Sequence, residues 1–398
     1  MKSQEGNNPM NGIKNYSRFF LLALLGLITA LAPVINNMFS PAMPSLAIAM
    51  NTDVAILQLC LTASMAGLAL GQLLIGPLSD RLGRRLPLLS SMLLYLVSSL
   101  ALLVASSIQL VIVLRLLQGL GAGGGIVISR SVATDVSSGN KLLKMLAAIN
   151  VINGLMPIVT PMLGGYMVKV AGHNGPFLAM AAIGALLLAG CLGLRETLDE
   201  RKRKHVGLSE TMSLFGAVLK KREFLLTIFH QSGMLAILFG NIAATPFVIQ
   251  HYGYGPETIG ITLGVNGIFT ALGAGMAPSL GSSLRGIKLS AAGLMLFAAL
   301  QAIFLWMDLG LWAYEVMMCL MLFMVGITLT SSSTYAMECA REQAGTASAL
   351  LGAVGFVSGA VVAPLVGLGN VLYSAAIVFL AAALLTLAVT VPIKGNNA

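Results

Sequence analysis

The chain has 398 residues, of which 57% are hydrophobic and only 9% are charged. Soluble proteins carry about a quarter charged residues, so this composition excludes an ordinary soluble domain. The formal net charge is +9. Such an excess is compatible with nucleic acid binding, and the position of the charges has to decide the question.

Twelve apolar runs follow one another from Phe19 to Val391, each long enough to cross a hydrocarbon core of about 30 Å as a helix. They predict an all-α membrane protein with twelve transmembrane helices. The first run is longer than a signal-peptide core and no clear cleavage site follows it, so we expect it to be retained. The predicted spans are 19–41, 55–78, 86–105, 108–131, 144–168, 176–194, 224–248, 257–280, 288–307, 311–336, 343–368 and 371–392.

The basic residues lie almost entirely on one side of these spans. If the N-terminus is inside, Lys169 is the only one of the 23 Lys and Arg in a predicted outer loop, and Arg115 lies within a span. This is the positive-inside pattern, which explains the net charge by the lipid bilayer and without a nucleic acid partner. We expect a multi-pass protein of the bacterial inner membrane with both termini in the cytoplasm.

The longest polar interruption, residues 195–223, separates six spans from six. It predicts an N-terminal six-helix bundle at 1–194, a cytoplasmic linker at 195–223 and a C-terminal six-helix bundle at 224–398. The two halves also echo each other weakly, since the Pro and Gly residues of span 5 have counterparts in span 11. Two parallel six-helix halves are an architecture of secondary transporters.

Three motifs identify a family. GPLSDRLGRR (76–85) lies in the inner loop after span 2, RLLQGLGAGGG (115–125) lies in span 4, and GLMPIVTPMLGG (154–165) lies in span 5. They resemble the signature motifs of the major facilitator superfamily. SPAMPSLA (40–47), TPFVIQHYGYGPETIG (245–260) and the Gly/Ala-rich segment 344–367 narrow the resemblance to the Bcr/CflA group. The resemblance spans nearly the whole chain and implies alternating access and export of small amphipathic compounds or drugs in exchange for protons. In the third motif, Pro157, Pro161, Gly164 and Gly165 match the antiporter pattern.

The first motif is expected to form a conformational gate. Asp80 ends span 2, where its carboxylate can meet Arg130 of span 4 and the positive N-terminus of span 11 near Ala344. We expect this contact to stabilise the outward-facing state and to break when the inner side opens, with Gly76, Gly83 and Arg84 as the other motif positions. The alternative, in which the loop charges only set topology, leaves Asp80 without a role.

Arg115 lies about 10 Å inside span 4 at 1.5 Å per residue. A central Arg costs on the order of 3 kcal/mol in a bilayer, so we expect it to face a cavity or a polar cluster. The alternative is a structural Arg held by amides. Expected partners or further substrate and coupling residues are Asn36, Asn37, Gln118, Asn150, Asn153, Gln231, Asn241, Asn266 and Tyr335, although small polar groups often serve only to hold helices together.

The chain departs from the resembled family at Asn37, where an acidic residue usually carries the proton. An amide does not exchange protons near neutral pH, so proton coupling requires another group. The spans offer Glu315 and His230, and each has an alternative as an interface or helix contact. The missing acid leaves two other functions open, a transporter of a polar metabolite such as a nucleoside or amino acid, and an uncoupled facilitator or transporter-like sensor.

Enzymatic and metal chemistry have no support in the sequence. GLGAGG (119–124) matches a dinucleotide fingerprint, but it lies inside a membrane helix with no βαβ unit around it. No nucleotide-binding, metalloprotease or hydrolase motif is present, and the four cysteines have no CxxC spacing. We therefore expect no cofactor, no metal and no enzyme. The expected partners are a small-molecule substrate and protons, and the expected state is a monomer.

Overall fold

The computed structural model describes residues 18–137, 139–200, 203, 216, 218–340 and 344–393. The first predicted span is broken into α1 (Arg18–Thr29), α2 (Leu31–Asn37) and α3 (Met43–Ala49), with a short 3-10 turn at Ser40–Ala42. The next five helices correspond to predicted spans 2 to 6: α4 (Val54–Leu82), α5 (Arg85–Leu102), α6 (Ile108–Val136), α7 (Gly139–Ala171) and α8 (Gly175–Leu192).

Six helices follow the linker and correspond to predicted spans 7 to 12. They are α9 (Arg222–His251), α10 (Pro256–Met276), α11 (Ser283–Trp306), α12 (Leu311–Cys339), α13 (Ala344–Val366) and α14 (Val371–Thr390). Most of the linker lies outside the described residues.

The twelve-span prediction is confirmed. In the described part of the chain, nine apolar segments are long enough to cross a membrane, and the bent pair Phe19–Thr29 and Leu31–Ala49 makes a tenth. One of the nine, Val151–Leu192, contains both α7 and α8, which are separated by a 3-10 turn at Gly172–Asn174. The described apolar stretch of α13, Leu350–Val366, is the remaining span.

The break in the first span has a local cause. Pro33 lacks an N–H, so the carbonyl of Thr29 loses its intrahelical partner at this point, and the proline ring crowds that carbonyl. The axis bends by 42° between the two pieces. The hydroxyl of Thr29 turns back and donates to the carbonyl of Gly26 at 2.8 Å. Beyond the bend, α2 with its two asparagines packs against α4, α6 and α7.

Glycines set the closest helix contact in the first half. A side chain on Gly119 of α6 would collide with the carbonyl of Ser64 on α4, and one on Gly123 would collide with that of Leu68. The two backbones therefore touch directly, as small residues allow between membrane helices. The GLGAGG stretch is a packing surface.

The two six-helix halves meet along two helix pairs, α7 with α10 and α4 with α13. We call the end of the bundle at Gly83 and Arg84 the motif end, and the end at the α3–α4 turn the far end. At the far end the halves touch through backbone. A Cβ on Gly260 would lie 2.5 Å from the carbonyl oxygen of Pro161, and a Cβ on Gly165 would lie 2.6 Å from that of Pro256.

Candidate functional site

A cavity of about 390 Å³ lies between the two halves, towards the motif end. This size falls in the range of small-molecule sites. Arg130, in the last two turns of α6, is exposed and lines the cavity on the side of the motif end. The lining residues are Thr29, Ala32, Gln72, Ile126, Arg130, Gln231, Leu235, Phe239, Leu329, Ser333, Met337, Leu351, Gly352, Gly355 and Phe356.

Three long polar side chains face this cavity: Gln72 of α4, Arg130 of α6 and Gln231 of α9. The sequence singled out Gln231 as a cavity candidate and Arg130 as a gate residue, but it gave no reason to choose Gln72. In the sequence Gln72 is only a glutamine within an apolar helix, and such a residue is as typical of a contact between helices as of a cavity lining. The rest of the described lining is mainly apolar, as expected for an amphipathic ligand.

Arg115 is fully buried beside the cavity and does not line it. Its guanidinium donates to Gln118 Oε1 at 2.6 Å, to the carbonyl of Ile35 at 2.7 Å and to Ser64 Oγ at 3.2 Å. The ring of Phe39 lies 4.4 Å from the guanidinium carbon, a distance at which a cation is attracted to the ring face. This geometry matches the structural alternative, in which amides and carbonyls hold the arginine in place.

The amides around Arg115 differ in their surroundings. Ser64 donates to Asn36 Oδ1 at 2.8 Å, so Asn36 belongs to the cluster. Gln118 extends it by donating to Ser99 Oγ at 2.8 Å. Asn37 is half-buried at the end of α2. The side chain of Asn150 lies outside the described residues.

A second polar cluster joins α9, α10 and α12 in the second half. Asn241 Oδ1 accepts hydrogen bonds from Thr245 at 2.7 Å and from Asn266 at 3.4 Å. The thiol of Cys319 is 3.5 Å from both Asn266 Oδ1 and Glu315 Oε1. The other oxygen of Glu315 is buried without a partner in the described structure. Two of the predicted amides and one predicted proton carrier thus lie together.

His230 lies apart from both the cavity and this cluster. Its ring is fully buried between α9 and α14, with Nδ1 2.9 Å from Thr390 Oγ1. The carbonyl of Thr386 is 3.3 Å from the same nitrogen. Such contacts are those of a histidine that joins two helices.

The gate contact that the sequence predicts between Asp80 and Arg130 is not formed in this conformation, and it stays a prediction for the outward-facing state. Asp80 pairs with Arg84 four residues on, in its own half, and not with Arg130. Arg84 also binds Asp135 at 2.9 Å and Ser79 Oγ at 2.8 Å. Arg84 follows the turn at Gly83 that ends α4, so it lies close enough in the chain to pair with Asp80 of the last turn. Residues 341–343, just before α13, lie outside the described residues, as do the side chains of 344–346.

Glu196, which the sequence analysis missed, holds the loop in place. Its carboxylate accepts the backbone N–H groups of Arg84 at 2.7 Å and Arg85 at 3.1 Å. Gly83 has φ +92, and a Cβ there would collide with this carboxylate. Partial burial acts to raise the pKa of Glu196, but bonds from four backbone N–H groups hold it below the ordinary value. Gly76 supports the same region by letting α4 approach Val127 of α6.

The span-5 motif lies at the far end. Pro157 and Pro161 are inside α7, and a side chain on Gly164 would collide with the carbonyl of Met38. Beyond Gly165, Lys169 pairs with Glu257 of α10 at 2.7 Å. The motif therefore joins the two halves by close backbone contact.

Comparison with known proteins identifies the family. A family model described as the Major Facilitator Superfamily matches residues 25–364. The chain belongs to the major facilitator superfamily. An MFS-type transporter, YdgK, from Bacillus subtilis is 34% identical over 89% of this chain and 90% of its own length. A bicyclomycin resistance protein homolog from Haemophilus influenzae is 28% identical, covering 88% and 89%.

The fold agrees with this assignment. The crystal structure of a D-xylose-proton symporter superposes with a TM-score of 0.73 at 13% identity, covering 92% of this chain and 97% of that one. At this identity the likeness concerns the fold alone. The family expected from the motifs is confirmed, and the protein is a multi-span membrane transporter related to drug-resistance proteins.

Proposed function

We propose that this transporter exports small amphipathic compounds or drugs across the bacterial inner membrane in exchange for protons. The observation that carries the proposal is the cavity between the halves, which has the exposed Arg130 on its motif-end side while backbone contacts close the far end. This is the geometry expected of one state of an alternating-access cycle. The positive-inside pattern puts the motif end, and both termini, in the cytoplasm.

The cycle is proposed to rock the first bundle (1–194) against the second (224–398). The gate at Asp80 forms no contact across the halves while the cavity faces the motif end, since Arg84 holds it within its own half. Closing that end brings the start of α13 towards Asp80, and its positive dipole then offers a second partner. Asp80 is thus proposed to favour the outward-facing state.

Glu315 is the better of the two proposed proton carriers. One of its carboxylate oxygens is bound only weakly and the other is buried without a partner in the described structure. A proton added to that oxygen creates a donor beside Asn266. His230 already bonds to α14 and faces neither the cavity nor Glu315. Proton coupling is therefore proposed to lie in the second half, compensating for the neutral Asn37.

The substrate class rests on the relatives. Their names include bicyclomycin resistance, chloramphenicol resistance and multidrug resistance proteins. The cavity suits such compounds because an apolar wall with a few polar groups is typical of drug-sized sites.

The test uses the purified protein in liposomes that contain a pH-sensitive dye, with drugs, nucleosides and amino acids added in turn. We expect proton movement only with drugs, a loss of it in Glu315→Gln, and normal movement in His230→Gln. Glu257→Gln, an exposed glutamate at the far end, is the matched control. Uptake without proton movement would replace antiport by facilitation, and a response to nucleosides or amino acids alone would make the protein a metabolite transporter.

A further inference from the structure

One cation distinguishes the cavity between the halves. Among the described residues that line it, Arg130 alone has an ionisable side chain. Its guanidinium forms no hydrogen bond or ion pair within the described part of the chain. Arg84 and Arg115, by contrast, are bound to acceptors on neighbouring helices. A guanidinium has five N–H donors and no acceptor, so an arginine left unpaired at a cavity can donate to an acceptor group of a ligand.

The nearby carboxylates that the structure describes do not balance this charge. Asp80 and Asp135 are both bound to Arg84. Glu315 lies in the cluster with Cys319 and is not among the lining residues. A cationic ligand in the described cavity would therefore meet a like charge and no carboxylate, which is unfavourable at short range in a medium of low dielectric constant.

The rest of the lining adds polar groups on facing walls and an aromatic surface. Gln72 of α4 and Gln231 of α9 lie on opposite halves, and Gln231 is 5% exposed with its Oε1 unbonded. Phe239 and Phe356 form an aromatic pair with ring centroids 6.1 Å apart. Aromatic rings stack well on such surfaces. The cavity thus offers a cation at its mouth and an aromatic wall within.

We infer that this cavity selects amphipathic organic anions, with the acidic group paired to Arg130 and an aromatic body against Phe239 and Phe356. The inference rests on the proposed transport function and narrows its substrate class from amphipathic compounds in general. It gives Arg130 a role in binding.

The experiment measures binding of two fluorescent probes by anisotropy, with the full-length protein in liposomes of neutral lipids. Fluorescein is anionic and rhodamine 123 is cationic, and both have the same xanthene core with a phenyl substituent. We expect the protein to bind fluorescein at least tenfold more tightly than rhodamine 123. Arg130→Gln should weaken fluorescein binding by roughly 10- to 100-fold, as expected for loss of charge-assisted hydrogen bonds, while Arg130→Lys should keep most of the preference.

Arg285→Gln is the matched control, because Arg285 is an exposed arginine in the first turn of α11 at the same end of the bundle and outside the cavity lining. It should leave both affinities unchanged. Equal or tighter binding of rhodamine 123 would overturn the inference, as would an unchanged preference in Arg130→Gln. Loss of the preference when phosphatidylglycerol is added would also overturn it, because Arg130 would then be a lipid phosphate site.

The proposed function and the inferred anion selectivity can be refuted independently of each other. Proton movement driven by rhodamine 123 but not by fluorescein would support antiport and refute anion selection. Selective, Arg130-dependent binding of fluorescein without proton movement would support anion selection and refute antiport.

Discussion

Replacing Arg84 by Gln tests whether the motif-end network stabilises the fold. Arg84 is 7% exposed, and its side chain holds Asp135, whose side chain is 15% exposed, and Asp80, whose side chain is 44% exposed. Removing one partner of a buried pair costs about 3 to 5 kcal/mol, whereas an exposed pair contributes about 0 to 1 kcal/mol. Since Asp135 is partly buried and Asp80 is well solvated, we expect a loss of roughly 2 to 3 kcal/mol.

Thermal unfolding followed with a thiol-reactive dye measures this loss. Cys60, Cys191 and Cys319 are buried and become reactive only when the helices separate. For a chain of 398 residues the expected decrease in Tm is roughly 2 to 4 °C. The control is Arg85→Gln, because the Arg85 side chain is exposed and has only a 3.4 Å contact with the carbonyl of Leu192; a change below about 0.5 kcal/mol is expected.

A double variant separates the ion pair from other effects of the substitution. Asp135→Asn in the Arg84→Gln background removes the carboxylate that is left unpaired, so part of the lost stability should return. Equal Tm values for Arg84→Gln and Arg85→Gln would refute the reasoning, because the buried network would then contribute nothing measurable.

Three further predictions concern single positions. Gly260→Ala puts a Cβ 2.5 Å from the Pro161 carbonyl oxygen, so stability should fall by about 1 to 3 kcal/mol and transport should be lost. Gly154→Ala, with no atom within 4 Å of the new Cβ, should leave both intact, and equal behaviour of the two variants would contradict close contact at the far end. The folded-state pKa of Glu196 lies below its ordinary 4.5, so the stability that this carboxylate contributes is present above that pH and is lost as the pH falls through the lower value. The Tm of the wild-type protein should therefore drop more between about pH 5 and pH 3 than the Tm of Glu196→Gln. Parallel pH profiles of the two proteins would exclude this role. Gln301 is fully buried with both amide atoms unbonded within the described structure, so Gln301→Leu should raise stability by about 1 kcal/mol or more; a lower Tm would show that the amide has a partner.

The fold was predictable because hydropathy is a local property of the chain. Each apolar run is long enough for one crossing, and the break at Pro33, which was not predicted, leaves the number of spans unchanged. The contact between Arg115 and Gln118 could also be predicted from the sequence, since residues three apart lie on one helix face.

The candidate site was harder to predict from the sequence because its contacts join residues that are far apart in the chain. Glu196 is 112 positions from Arg84, and no periodic pattern connects them. Asp80 had two possible basic partners, and chain proximity favoured Arg84 over Arg130. Gln72 resembles any amide that joins two helices, and only the arrangement of α4 against α13 makes it a cavity residue.

The two ends of the bundle close by different forces, so salt should affect the transporter differently from the two sides of the membrane. At the far end, Gly165 and Gly260 bring backbone against backbone, a contact that dissolved ions do not screen. The exposed pair between Lys169 and Glu257 adds little there. At the motif end the proposed closing contact, between Asp80 and the start of α13, is electrostatic, and the Asp80 side chain is 44% exposed to solvent ions, whose screening length is about 8 Å at physiological ionic strength. Ionic strength on the motif side therefore shifts the balance between the resting conformations, while the same change on the far side leaves it nearly constant.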